Sequence, residues 1–96
     1  PPPLQRSSLE QRATSAVQTI IREQEGLIYL DADVRFTQTS MQDGNQLLAV
    51  VYVQDQTPGF PTAQAIQTSL SKELRQELQK TLGNTEPLVV VNVVGP

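Results

Sequence analysis

The sequence predicts an α+β fold: a two-layer sandwich in the order α-β-β-α-β, with two helices on one face of a three-stranded mixed sheet. Three observations carry this. Apolar residues fall into five blocks that alternate between helical and strand spacing. Turn or breaker residues separate the blocks at Gly26, Asp43-Gly44-Asn45, Thr57-Pro58-Gly59-Phe60-Pro61 and Gly83-Asn84. A length of 96 residues allows one hydrophobic core and little more.

The first helix is signalled by Ser7 and Ser8 as caps, with Glu10 or Gln11 placed as in a capping box. Its stripe is Leu9, Ala13, Ala16, Val17, Ile20 and Ile21, the spacing of one helix face. Arg6, Arg12, Arg22 and Glu23 fall off that stripe, and Gly26 can end the helix in a left-handed conformation. Ahead of it, Pro1-Pro2-Pro3 is a stiff extended spacer, so residues 1–6 are expected to be a proline-rich linker and 7–95 the single domain. The chain is expected to be a segment of a longer protein.

From Leu27 the period becomes two. Ile28, Leu30, Ala32, Val34 and Phe36 share one side, and Tyr29, Asp31, Asp33, Arg35 and Thr37 the other, which predicts a half-buried strand. Asp43-Gly44-Asn45 tolerates the positive φ of a hairpin turn, and a second, almost wholly apolar strand runs from Gln46 to Gln54. After the proline break, Thr62 is placed to cap a second helix whose stripe is Ile66, Leu70, Leu74, Leu78 and Leu82, ended by Gly83-Asn84. Leu88 to Val94 is β-branched and reads as a third strand. The hairpin makes the first two strands antiparallel; the helical crossover makes the second and third parallel.

Composition removes most chemistries. With no histidine and no cysteine, serine–histidine triads, histidine or thiolate metal sites and disulfides are impossible. A net charge of −3 gives no cationic field, so nucleic acid is not an expected partner. No apolar run is long enough to cross a bilayer, so this segment is not expected to insert directly into a membrane. Phosphate-binding glycine motifs and a calcium loop are absent from the sequence. No nucleophile or tuned acid–base pair is visible, so the chain is expected to be non-enzymatic and without a cofactor or bound metal.

Two sets of residues are candidates for function. The second and third strands are apolar on both sides, which usually means burial on both faces. Helices can cover only one, so Leu48, Val50, Val51, Tyr52, Val89, Val91 and Val93 are the expected interface, and Val51→Asp or Val91→Asp is expected to weaken association. The second set is Tyr29, Asp31 and Asp33, one polar strand side on which paired carboxylates could bind a small ligand or hard cation; Arg35 beside them makes a solvated, balanced face the competing reading. Asn92 in an apolar strand reads as a satisfied polar spot or an interface hydrogen bond.

The run Leu47-Leu48-Ala49-Val50-Val51-Tyr52-Val53, then Thr57-Pro58, then a helix ending Lys80-Thr81-Leu82-Gly83 before a terminal valine strand, resembles the soluble C-terminal domain of an uncharacterised hydrophobic membrane-protein family, domain of unknown function 389. The same rhythm is similar to the cytoplasmic domain of cation-efflux transporters, which dimerises and binds zinc. Zinc ligation there leans on histidine and acidic residues; this chain has no histidine, so zinc binding is not expected to carry over. The likeness covers most of the chain as a pattern of residue classes. It implies an accessory domain at the cytoplasmic side of a membrane, whose partner is a parent membrane protein or a second copy.

Overall fold

A computed structural model describes residues 3–37, 46–56, 62–83 and 86–95. The elements are α1 (Pro3–Arg22), β1 (Leu27–Thr37), β2 (Gln46–Asp55), α2 (Ala63–Leu82) and β3 (Glu86–Val94), the α-β-β-α-β order the spacing predicts. They form one three-stranded sheet in the order β1-β2-β3. β1 runs antiparallel to β2, and β3 runs parallel to it in unbroken register from Gln46 opposite Glu86 to Gln54 opposite Val94. The expected hairpin tip, the proline break and the position after Gly83 lie outside the described residues.

Both helices lie on one side of the sheet. α1 packs on β1, α2 on β3, and the helices touch each other. Ala13, Val17, Ile20 and Ile21 from α1 meet Leu70, Leu74 and Leu78 from α2 over Val34, Leu47, Ala49, Val51, Val53 and Val91. These side chains are the expected helix stripes together with alternate strand positions, so burial of apolar area explains the layering. The helix ends carry their own satisfaction. Thr62 accepts the Ala65 N–H at 3.2 Å, and the Gly83 N–H donates to the Gln79 carbonyl at 3.0 Å. At the far end of α1, Gln24 Nε2 donates to Glu73 on α2, a polar tie beside the apolar contact.

Three expectations change. α1 begins at Pro3, so residues 3–6 are helix rather than linker. Proline is accepted in the first turn, where an N–H has no intrahelical acceptor, and the serine pair therefore lies inside the helix. Glu10 does not close a capping box; its carboxylate accepts the main-chain N–H of Phe36 at 2.8 Å. Thirdly, β1 does not keep a single alternation. Its register with β2 shifts between Tyr29 and Asp31, where one extra residue is accommodated.

Candidate functional site

The β1 shift reverses which side chains meet the helices. Leu27 and Tyr29 pack on the core before it, and Ala32, Val34 and Phe36 after it. Ile28 and Leu30, expected inside, are exposed, and Tyr29, expected on the polar side, lies beneath the end of α1. There its hydroxyl accepts from Gln18 Nε2 at 3.2 Å, and the Arg22 guanidinium stands 5.9 Å from its ring centroid. The proposed ligand set of Tyr29, Asp31 and Asp33 is therefore divided between two faces. Asp31 and Asp33 remain together on the uncovered side, opposite Tyr52 and Val50.

Asp33 is already engaged. Arg35 Nε donates to its Oδ1 at 2.8 Å on an exposed part of the strand. That hydrogen bond, then the charge of the same carboxylate, holds the Arg35 guanidinium above its ordinary pKa. Among the described residues no three acidic, histidine or cysteine side chains gather as a metal site would require.

On β2 and β3 the parity of each position decides its face. Leu47, Ala49, Val51, Val53 and Asp55 point to the helices, with Pro87 and Val91 beside them and Val89 and Val93 packed on the same core. Val51, Val89, Val91 and Val93, four of the residues expected at the interface, are thus core-side. Val51 is 0% exposed and Val91 1%. Aspartate at either position would place a carboxylate in the core and unfold the domain rather than merely loosen an association. The side that faces away from the helices carries Leu48, Val50 and Tyr52 on β2 and Leu88, Val90 and Val94 on β3, with Ile28 and Leu30 at the β1 end.

This open face is a largely apolar surface with charge at its margins, Glu86 standing at the start of β3. Leu88 is half exposed, and Tyr52, Val90 and Val94 are each about 40% exposed. Asp31, Asp33 and Arg35 line the β1 margin. Asn92, within the apolar area, donates from Nδ2 to the Val51 carbonyl at 3.4 Å. The signal that identifies this face was present in the sequence. Gln46, Gln54, Glu86 and Asn92 all share the parity of Leu48, Val50, Leu88 and Val90, and polar residues gather on the side away from a core.

A separate cleft of about 290 Å³ lies between the α1–β1 turn, the end of β2 and the start of α2, lined by Gln24, Glu25, Leu27, Asp55, Ile66 and Leu70 among others. No described helix is long and apolar enough to cross a membrane. No protein-family model matches the chain, and no curated protein matches it.

Proposed function

We propose that this chain is a non-enzymatic interaction module of a larger, membrane-embedded protein, which docks through the open face of its sheet onto a second copy or onto its parent. The observation that carries this reading is the apolar area of Leu48, Val50, Tyr52, Leu88, Val90 and Val94, left uncovered by both helices. Isolated exposed valines are ordinary, whereas a contiguous apolar face on a small domain is a contact surface. The membrane-embedded parent rests on the family resemblance alone.

Size sets the strength of the contact. Three strands spaced ~4.8 Å apart and nine residues rising ~3.3 Å each give a face of roughly 14 by 30 Å. That is about half of the ~800 Å² each partner contributes to a standard interface, so the contact belongs with weak, concentration-dependent ones. A cation-sensing role is less supported, because Tyr29 is elsewhere and Asp33 is held by Arg35.

Tyr52 lies on the open side of the central strand, 41% exposed, so Tyr52→Lys adds charge to the contact without entering the core. In sedimentation at rising concentration the wild-type chain is expected to reach a higher mass than Tyr52→Lys at the same concentration, with unchanged thermal unfolding. A variant that associates as well as wild type overturns docking of a second copy on this face.

A further inference from the structure

The two edges of the sheet are built differently. β1 carries several devices that discourage strand addition: the Glu10 carboxylate on the Phe36 N–H, the irregularity at Tyr29/Asp31, and the charges of Asp31, Asp33 and Arg35. β3 carries almost none. It is nine residues long, its register with β2 is unbroken, and its one charge, Glu86, is at its first position. Among the described residues no strand pairs with its outer side.

We propose that two copies of this chain pair β3 to β3, antiparallel about a two-fold axis at Val91, to form one continuous sheet. This contact is separate from docking on the open face and stands without it. Pro87 sets the phase of the hydrogen-bonding groups. A proline within a sheet points its missing N–H to the unpaired edge, so Pro87, Val89, Val91 and Val93 present their main-chain groups outward, whereas the carbonyl of Gly95, past the end of β3, accepts from Gln54 Nε2 on β2. With the axis at Val91, Val91 meets Val91 of the second copy and Val89 meets its Val93, each pair able to exchange both main-chain bonds.

The ends fit as well. Pro87, which has no N–H to offer, falls opposite Gly95 of the second copy, past the end of β3, where no ladder bond is lost. Moving the axis to Val90 would set Pro87 against Val93, losing a bond at a fully capable position, and would set Glu86 against apolar Val94. On the open side the Val91-centred register opposes Val90 to Asn92 and Leu88 to Val94 of the second copy, with no like charges facing each other. Main-chain bonds supply the affinity and the valine pairs the register, the usual division in strand addition.

The chain has no cysteine, which makes a register test clean. Val90 and Asn92 oppose each other as a non-hydrogen-bonded pair, with Cα atoms ~4.5 Å apart, inside the range a disulfide spans. Val90 and its own counterpart are diagonal neighbours at ~7–8 Å, beyond that range. Val90→Cys and Asn92→Cys chains are therefore mixed under copper–phenanthroline and dissolved oxygen, and the covalent dimer is followed on non-reducing gels. The mixture is expected to cross-link about tenfold faster than either variant alone. Adding Tyr52→Lys to both chains is expected to leave that rate unchanged. A mixture no faster than the single variants, or Val90→Cys cross-linking by itself as fast as the mixture, overturns the register. Loss of cross-linking with Tyr52→Lys overturns the edge and assigns the contact to the open face.

Discussion

Gly83 ends α2 with φ 75° and ψ −115°, a backbone shape outside the left-handed helical region and reserved for glycine. A Cβ there would meet open space, so a substitution costs backbone strain and no clash. Gly83→Ala is expected to lose about 1–3 kcal/mol in thermal or denaturant unfolding. Gly83→Asn is expected to recover little of it, because asparagine relieves only the left-handed helical shape. Val51 answers to a different physics. It is fully enclosed by both helices, and Val51→Asp is expected to abolish the cooperative unfolding transition, since an unpaired buried carboxyl costs a large part of a ~5–15 kcal/mol total. If Val51→Asp folded normally, the assignment of odd-numbered β2 residues to the core would be wrong.

At the scale of elements, β1 shows where a period can be read and where it cannot. From Asp31 to Arg35 charged and apolar residues alternate strictly, and the structure keeps that alternation. From Leu27 to Leu30 every residue is apolar or aromatic, so a shift of one position leaves no trace in the pattern. The register shift falls at that junction and moves Tyr29 under α1. Both helix stripes, by contrast, were legible because their polar positions are unambiguous. The start of α1 was hidden by reading three prolines as a unit, although only the third lies within the described helix. Glu10 ties these two elements together: the helix supplies the acceptor for an edge N–H that β2 does not pair. Glu10→Ala is expected to cost about 1 kcal/mol and to speed hydrogen exchange at the Phe36 amide, with the β2 core amides unchanged at matched stability. An unchanged Phe36 exchange rate would show that the carboxylate is not protecting that group.

For the molecule as a whole, the order of elements and the two-layer arrangement followed from the alternation of periods. The uncovered apolar surface followed only halfway. Two strands apolar on both sides announced a second apolar face, but apolarity alone did not say which side was which. Packing decides it: the parallel register places Val91 beside Val51, and α2 closes over both. The polar residues Gln46, Gln54, Glu86 and Asn92 held the same information in sparse form. The division of Tyr29 from Asp31 and Asp33 was beyond the sequence, because it depends on one extra residue absorbed within a ladder.

The latch from Glu10 to the margin of β1 also gives ribbon growth a direction. A sheet with both flanks bare can recruit neighbours endlessly, each newcomer offering a fresh flank to the next. Here the Glu10 carboxylate from the chain's own helix occupies the Phe36 N–H of one flank, so the proposed joining through the other flank is expected to leave a poorer site for the next. On the proposed β3 pairing, edge-to-edge assembly is expected to end at a pair, and fibres by this route have nowhere to begin a third strip.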